Sequence, residues 1–203
     1  MARNDLNGKR VAILATDGVE QTELTEPRKA LDAAGATTIV VSPKEGKLKG
    51  WHHGNWGDDI PVDRALSDAN ADDFDALLLP GGVMSPDRLR MDKKAVQFVK
   101  AFFHAGKPVA AICHAPWLLV EADVVRNRAL TSWPSLQTDI RNAGGDWVDR
   151  EVVTDMGLVT SRRPDDIPAF NQKMIEEFAE GIHTGAKVGA RVAEKAGQRE
   201  LRS

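Results

Sequence analysis

The chain has 203 residues, a formal net charge of −3 and 42% hydrophobic residues, a composition typical of one compact domain with a sizeable core. No excess of basic residues indicates nucleic-acid binding, and no apolar stretch approaches the roughly 20 residues that span a bilayer. The first ten residues are polar and lack the apolar segment of a signal peptide. We therefore expect one cytoplasmic domain over 1–203 that binds neither nucleic acid nor membrane.

Apolar runs alternate with helical patterns through the first half of the chain, and glycine or proline marks most boundaries. The strands are nearly continuous apolar runs, which is typical of parallel strands buried on both faces. The sequence therefore predicts a three-layer α/β fold with a mainly parallel sheet. The predicted elements are strand 11–15, helix 23–34, strand 37–41, strand 76–79, helix 93–105 and strand 109–112.

The second half of the chain continues with shorter elements. We predict a helix at 135–143, a hairpin formed by 151–154 and 158–161, and a closing helix at 167–179. Beyond Gly181 the chain is rich in glycine, alanine and charge, so 182–203 is predicted to be a flexible tail.

Between the second and third predicted strands lies a long segment, 44–63, that interrupts this alternation. Its centre, Trp51 to Asp59, contains two tryptophans, two histidines and two aspartates. It suggests a lid, or a metal site built from His52, His53 and the aspartates; the alternative is a surface loop or β-ribbon whose tryptophans cover an edge or a subunit contact. Adjacent histidines diverge in a strand and no third histidine or cysteine has supporting spacing, so we favour a loop without a metal.

Cys113 is the single cysteine of the chain, and it stands where the strand 109–112 breaks into a turn followed by His114. The free N–H groups at a helix N-terminus stabilise a thiolate, which is the form that attacks carbonyl carbon. The alternative is a small buried hydrophobic residue at the end of a core strand. One cysteine cannot form an internal disulfide, which agrees with a reducing compartment.

Ligands of open α/β sheets gather outside the carboxyl ends of the parallel strands. This rule places 16–23, 80–85 and 113–117 next to one another, although they are distant in sequence. A carboxylic acid at Glu23 beside the thiol could be held protonated and could hydrogen-bond the thiolate or move a proton, whereas Glu20 fits a helix N-terminus.

Two further features of this edge fit acyl or carbonyl chemistry. The Gly81-Gly82 pair lets backbone N–H groups approach a bound oxygen, and with the N–H of His114 it could form an oxyanion hole; the alternative is an ordinary tight turn. His114 is a candidate general base that needs an orienting acid. Asp87 is one candidate for that acid, and a helix-capping or ion-paired aspartate is the alternative.

Four motifs together resemble the DJ-1/PfpI superfamily, and most of all its PfpI-like intracellular protease and general stress protein branch. The resemblance covers about residues 9–181 and implies a flavodoxin-like sandwich related to class I glutamine amidotransferases. The motifs are Ile13 to Leu24, Leu79 to Gly82, Ala111 to Pro116 and Thr131 to Pro134.

The resemblance also implies roles for individual residues. Cys113 is the nucleophile on a strained elbow, Glu23 is the acid close to its sulfur, and His114 is the protease-type base. Gly82 and the backbone of His114 bind the oxyanion, next to Gly81. Trp117 and Trp133 stand around the pocket, with core or interface packing as the alternative.

One departure from the family pattern concerns the third member of the protease triad. In the PfpI proteases it is a glutamate from a neighbouring subunit, and Asp87 stands at that position with a shorter side chain. This departure argues against proteolysis more than against the reactivity of Cys113. Arg162 and Arg163 border the site or form exposed ion pairs.

Three functions remain open at this stage. The first is a PfpI-like cysteine peptidase or amidase, the second a glyoxalase III or deglycase acting on small aldehydes, and the third a non-catalytic redox or stress sensor, or a chaperone, that works through oxidation of Cys113. An amidotransferase is set aside because no His-x-Glu pair follows Cys113. We expect a homodimer or higher homo-oligomer that uses no cofactor and no metal and acts on small carbonyl compounds or peptides.

Overall fold

A computed structural model describes residues 5–183. Apart from Ile182 and His183, the tail predicted at 182–203 lies outside the described residues. Strands and helices alternate along the described chain, as the sequence predicts. The strands are β1 (Arg10–Leu14), β2 (Val19–Glu20), β3 (Thr37–Ser42), β4 (Lys47–His52), β5 (Asn55–Pro61), β6 (Arg64–Ala65), β7 (Ala76–Leu79), β8 (Val109–Ile112), β9 (Ala129–Leu130), β10 (Asp146–Trp147), β11 (Val152–Asp155) and β12 (Leu158–Ser161). The helices are α1 (Gln21–Ala33), α2 (Met84–Met91), α3 (Lys93–Ala105), α4 (Pro116–Glu121), α5 (Gln137–Asn142) and α6 (Ile167–Glu180).

A seven-stranded sheet forms the centre of the fold, in the order β11-β12-β8-β7-β1-β3-β6. Every neighbouring pair in it is parallel except β11 and β12, which form an antiparallel hairpin at one edge. All residues of β7 and β8 are buried, as expected for strands covered on both faces. The predicted fold class, a flavodoxin-like α/β sandwich with a mainly parallel sheet, is confirmed.

Two apolar cores, one on each face of the sheet, make the fold a three-layer sandwich. On one face α3 packs its buried phenylalanines against β7, and α4 lies beside it. On the other face α1 and α6 pack together against the alternate side chains of the same strands. Within residues 5–183, no helix is both long and apolar enough to cross a membrane.

Local signals explain why the helix predicted at 93–105 has those bounds in the structure. The side chain of Asp92 accepts hydrogen bonds from the N–H groups of Lys94 and Ala95, which caps the start of α3. Gly106 ends the helix in the left-handed conformation at φ 71°. The helix predicted at 135–143 is shorter, because a 3₁₀ turn over Pro134–Leu136 precedes α5.

The prediction of a loop over 44–63 is wrong, because this segment forms a β-hairpin. Strands β4 and β5 pair antiparallel, and β2 joins them to complete a second, three-stranded sheet. The turn between them has positive φ at His53 (47°) and Gly54 (80°), the backbone that a tight hairpin requires. The β-ribbon that was the weaker alternative is therefore the observed structure.

The carboxyl ends of β1, β7 and β8 meet at one edge of the central sheet. The N–H of Thr16, after β1, donates to the Ser85 hydroxyl oxygen at 3.0 Å, and the N–H of Glu20 donates to the Gly81 carbonyl at 3.2 Å. The structure thus joins the segments that follow β1 and β7, and Cys113 extends from β8 into the same place.

Candidate active site

Cys113 adopts a backbone conformation that is unusual for a residue with a side chain. Its φ is 64°, in the left-handed region, which costs about 1–3 kcal/mol for a non-glycine residue. Hydrogen bonds on both sides hold this conformation: its N–H donates to Ser161 at 3.0 Å, and its carbonyl accepts from Trp133 at 2.8 Å. The thiol therefore stands on a strained turn between β8 and α4.

Glu23 and the Gly81-Gly82 turn pack tightly against Cys113. The Gly81 N–H donates to Glu23 Oε2 at 3.0 Å. A Cβ atom at Gly81 would lie 2.5 Å from Glu23 Oε2 and 2.7 Å from the Cβ of Cys113, so only glycine permits this approach. Gly82 has a φ of 80° and its N–H faces the sulfur of Cys113.

The Glu23 side chain is completely buried, although it belongs to the first turn of α1. Burial raises its pKa to about 8, and repulsion from Glu20 adds to this shift. Contact with Cys113 and the N–H groups of Gly81 and Gly82 lower the pKa and only partly offset it. Among the described residues, no donor reaches Glu23 Oε1. Glu23 is therefore a carboxylic acid at neutral pH, with a proton to donate.

The Cys113 thiol responds to the charge of Glu23. Burial, followed by repulsion from an ionised Glu23, raises the pKa of the thiol, while the N–H groups of Gly82 and His114 lower it. The repulsion disappears when Glu23 carries its proton, because a neutral carboxyl group donates to the sulfur instead of repelling it. The two side chains thus favour a state in which Glu23 is protonated whenever Cys113 is a thiolate.

His114 contacts Cys113 directly, even though adjacency in sequence gave no reason to expect this. Its Nδ1 atom lies 3.2 Å from Sγ of Cys113. Burial lowers the pKa of His114 to about 4, so the imidazole is neutral near pH 7 and has a lone pair for a proton.

Two tryptophans enclose the His114 ring. Trp133 stacks on it with ring centroids 5.7 Å apart and planes inclined by 21°, and Trp117 lies against it at 5.3 Å. Trp117 in turn donates from Nε1 to Asp139 at 2.8 Å, and the guanidinium of Arg90 lies 4.8 Å from the centre of its ring. Aromatic packing therefore fixes the orientation of His114.

The structure separates Asp87 from His114 within one chain. Asp87 Oδ1 accepts from Arg90 Nε at 3.1 Å, as in the ion-paired alternative. In the part of the chain that the structure describes, no carboxylate hydrogen-bonds to His114. Within one chain, Asp87 on α2 therefore pairs with a residue of its own helix, and its contact with His114 across a subunit interface stays a prediction.

Cys113 opens into a pocket of about 480 Å³ whose walls are mostly apolar. Trp133 lines it as predicted, whereas Trp117 does not and packs behind His114. Several residues of the pocket wall were not predicted from the sequence, although the segment that contains Trp51 had been noted. The lining residues are Glu20, Glu23, Trp51, Gly82, Val83, Met84, Cys113, His114, Trp133 and Pro164.

Other residues considered at the sequence level lie at or beyond the rim. Arg162 binds Asp166 at 2.8 Å and Asp149 at 2.7 Å, so ion pairing accounts for it; its neighbour Arg163 is likewise absent from the described pocket lining. His52 Nδ1 lies 4.0 Å from Glu20 Oε1. The grouping of three metal-capable side chains found in the described chain lies elsewhere, at the end of α6.

The structure places a strained cysteine after a parallel strand, with a buried glutamate and a glycine pair beside it. This is the arrangement that the resemblance to the DJ-1/PfpI superfamily implies. The sequence profile of the DJ-1/PfpI family matches residues 9–177. The chain belongs to the DJ-1/PfpI family. The resemblance based on four short motifs is thereby confirmed over most of the chain.

Relatives within the DJ-1/PfpI family have names that point to stress and to repair of glycation. General stress protein 18 of Bacillus subtilis is 47% identical over 169 residues, which is 83% of this chain and 96% of the relative. Protein/nucleic acid deglycase 2 of Escherichia coli is 44% identical over 168 residues, 82% of this chain and 96% of the relative. The crystal structure of Drosophila melanogaster DJ-1beta has a TM-score of 0.77 at 28% identity and covers 84% of this chain and 90% of its own.

Proposed function

We propose that this protein is a stress-response enzyme that uses Cys113 to convert small reactive dicarbonyls, or their adducts on amines, into hydroxy acids. The observation that carries the proposal is the buried acid Glu23, which keeps its proton to about pH 8 beside the thiol. Addition of Cys113 to a carbonyl group needs a proton donor close to the sulfur, and Glu23 of the same chain can be that donor. The names of General stress protein 18 and deglycase 2 support the same direction.

In the first step the Cys113 sulfur attacks the aldehyde carbon of methylglyoxal and forms a hemithioacetal. The aldehyde oxygen takes the proton of Glu23 as the carbon–oxygen double bond becomes single, and the proton of the thiol passes to Glu23, which is again protonated at the end of the step. The N–H groups of Gly82 and His114, which face the sulfur, stabilise the negative charge that develops on that oxygen.

In the second step neutral His114 removes the proton from the carbon bound to sulfur, and an enediol forms. Return of a proton to the neighbouring carbon gives a lactoyl thioester, and water hydrolyses it to lactate with release of the thiol. The sum is methylglyoxal plus water to lactate and a proton, without any outside oxidant. For an adduct, the amine leaves as the sulfur–carbon bond is established.

Peptide hydrolysis is the second enzymatic candidate, and it needs an acid that orients His114. Asp87 is paired with Arg90 in its own chain, so a peptidase would depend on a carboxylate from another subunit. The mostly apolar pocket of about 480 Å³, narrowed by Trp51 and Trp133, suits a small carbonyl compound better than a polypeptide.

A redox sensor is the non-catalytic candidate, and the proximity of Glu23 to Cys113 favours it as well. A protonated Glu23 would donate to an oxygen of a Cys113 sulfinic acid as readily as to a thiolate. The sensor requires an external oxidant such as a peroxide, and its product is a chain heavier by two oxygen atoms.

We also propose that the protein is a cytoplasmic, single-domain homo-oligomer. Exposed apolar side chains near the pocket support self-association, with Val83 and Trp56 each 53% exposed. Sedimentation velocity on the full chain tests the self-association, and a monomer at every concentration would refute the homo-oligomer.

The deciding experiment measures methylglyoxal consumption and cleavage of a fluorogenic peptide by wild type and Cys113→Ser. Cysteine-dependent loss of methylglyoxal without peptide cleavage is expected. Cysteine-dependent peptide cleavage alone would replace the proposal with a peptidase. Inactivity in both assays, with peroxide-dependent addition of two oxygens to Cys113, would replace it with a sensor.

A further inference from the structure

A second group of chemically capable side chains lies at the carboxyl end of α6, away from the Cys113 pocket. Glu177 and Glu180 stand three residues apart on the last turn of the helix, and His183 follows the turn at Gly181. One ligand-capable atom from each of these three lies within 4.8 Å of the other two. None of the three lines the Cys113 pocket.

Main-chain contacts from two other parts of the fold hold His183 in this place. Its N–H donates to the Gly106 carbonyl at 2.8 Å, and a Cβ atom at Gly106 would lie 2.7 Å from the His183 carbonyl oxygen. A Cβ atom at Gly157 would lie 2.8 Å from Cδ2 of the imidazole ring. The absence of side chains at both glycines therefore makes the room that the histidine occupies.

Glu177 is held in the same cluster. The N–H of Gly157, in the turn between β11 and β12, faces its carboxylate and opposes the rise of its pKa. Its side chain is 12% exposed, and that of His183 is 21% exposed. Two ligand side chains are thus fixed by contacts outside their own segment, as the outer contacts of metal sites usually are.

The facing atoms of this pair lack hydrogen-bond partners. Glu177 Oε2 and His183 Nε2 are 3.2 Å apart, both are inaccessible to solvent, and neither makes a hydrogen bond within residues 5–183. Two ligands of a tetrahedral zinc ion, each about 2.0–2.1 Å from the metal, are separated by about 3.3 Å. The spacing of these two atoms is therefore one that a shared cation would give, and it is also that of a direct ion pair.

We propose that Glu177, Glu180 and His183 bind a divalent transition-metal ion of the zinc type, with water completing its coordination. One imidazole and two carboxylates are ligands that Zn²⁺ and Co²⁺ accept readily. The negative end of the α6 dipole favours a cation there. Exposed Glu180 closes on the metal from the solvent side, and the ion fastens the end of α6 to the turns at Gly106 and Gly157.

The alternative is a direct ion pair in which a protonated His183 donates to Glu177. A metal ion and that proton compete for the same nitrogen, so the two arrangements predict different behaviour towards added metal. If the ion pair is present, micromolar Zn²⁺ leaves the stability of the protein unchanged. If the metal site is present, the protein becomes more stable as the concentration of Zn²⁺ rises above its dissociation constant.

The test uses the full chain carrying Cys113→Ser, so that no thiolate competes for metal. Zn²⁺ binding is measured by calorimetry, and Co²⁺ is followed through its visible ligand-field absorption. In this background Glu180→Gln and His183→Gln each remove one ligand, and Glu176→Gln is the matched control. Glu176 is on the same helix turn, but its carboxylate contacts Lys173 and Gln172 instead of the cluster.

We expect one equivalent of Zn²⁺ whose affinity falls about 10-fold or more in Glu180→Gln and in His183→Gln, and stays unchanged in Glu176→Gln. Zn²⁺ at 100 times its dissociation constant should raise Tm by about 5 °C or more. The proposal is overturned if no metal binds, or if both ligand substitutions leave binding intact. Glu180 is exposed, so Glu180→Gln gives an answer even if His183→Gln folds poorly.

Discussion

The imidazole of His114 stacks on the indole of Trp133, with ring centroids 5.7 Å apart and planes inclined by 21°. The same indole lines the pocket into which Cys113 opens. One side chain thus forms a wall for the substrate and restricts the group proposed as the base. In the proposed mechanism, this double contact would do within one chain what a carboxylate does when it orients the histidine of a triad.

Replacement of Trp133 by leucine should therefore impair catalysis while the fold stays intact. Loss of an aromatic pair worth about 0.5–1.5 kcal/mol releases His114, and we expect kcat/KM for methylglyoxal to fall up to about 10-fold. Steady-state kinetics check this, with Met91→Leu as the control because Met91 is an exposed apolar residue that does not line the pocket. An equal loss in both variants would contradict a specific role for Trp133.

The two perturbed groups of the site predict a bell-shaped pH profile. His114 must be neutral to accept a proton, and burial lowers its pKa to about 4. Glu23 must be protonated to donate one, and burial raises its pKa to about 8. The dependence of kcat/KM on pH should therefore show an acidic limb near 4 and a basic limb near 8. A rate that keeps rising through pH 9 would contradict the role of Glu23 as the acid.

Burial of Glu23 also makes the stability of the protein depend on pH. Its pKa is about 8 in the fold against 4.5 for an unperturbed glutamate, so the folded state binds more protons between these values. The free energy of unfolding contributed by Glu23 should be greatest below pH 4.5 and should fall as pH rises towards 8.

Urea unfolding of wild type and Glu23→Gln across that pH range measures this contribution by difference. The variant has no proton at this position to lose, so the stability of wild type relative to Glu23→Gln should decline with rising pH. The same variant should lose about 100-fold or more of the methylglyoxal rate. A stability difference that does not change with pH would mean that Glu23 is not held protonated.

Gly81→Ala should damage both stability and activity. The new Cβ atom would lie 2.5 Å from Glu23 Oε2 and 2.6 Å from the Ile112 carbonyl oxygen, so the backbone or the acid must move. We expect a loss of about 2–4 kcal/mol in the free energy of unfolding, and kcat/KM should fall with it. Gly54→Ala is the control, because nothing lies within 4 Å of its new atom; its φ of 80° adds backbone strain of about 1 kcal/mol, which is still less than the loss expected at Gly81. Equal costs at the two sites would show that crowding at Gly81 is unimportant.

Asp87→Asn separates the aldehyde mechanism from the peptidase. Asp87 pairs with Arg90 at 3.1 Å and does not reach His114 in its own chain. The methylglyoxal rate should change less than about 2-fold, since an exposed pair of this kind contributes little. A large loss of that rate would indicate that Asp87 acts on the site of a neighbouring subunit.

The sequence was sufficient to predict the inner strands β7 and β8, because they are buried on both faces and appear as unbroken apolar runs, whereas the short edge strand β6 was not predicted. Ala76–Leu79 and Val109–Ile112 have the predicted bounds, and the rule for parallel strands correctly placed the segments that follow them at one edge of the sheet. At 44–63 a loop was favoured over the β-ribbon that the structure shows, because exposed polar residues and glycines hide the alternation of a ribbon that is half exposed to solvent.

Side-chain directions were the part of the site that the sequence could not supply. The proximity of His114 to the sulfur depends on the left-handed turn at Cys113, and no pattern of residue types encodes that angle. Trp51 reaches the pocket only because β4 pairs with β2, a contact between segments about thirty residues apart. Trp117 was assigned to the wall, yet its indole turns to Asp139 because a polar partner was available there.

The positive φ of Cys113 sets stability and chemistry against each other at one position. Glycine at 113 would release about 1–3 kcal/mol of backbone strain, but the chain would lose its thiol and the packing of a buried side chain. Selection for stability alone would weigh the relief of strain against that lost packing and would place no value on the thiol. A library of variants screened first for heat resistance and then for methylglyoxal turnover would separate, for each residue, its effect on stability from its effect on activity.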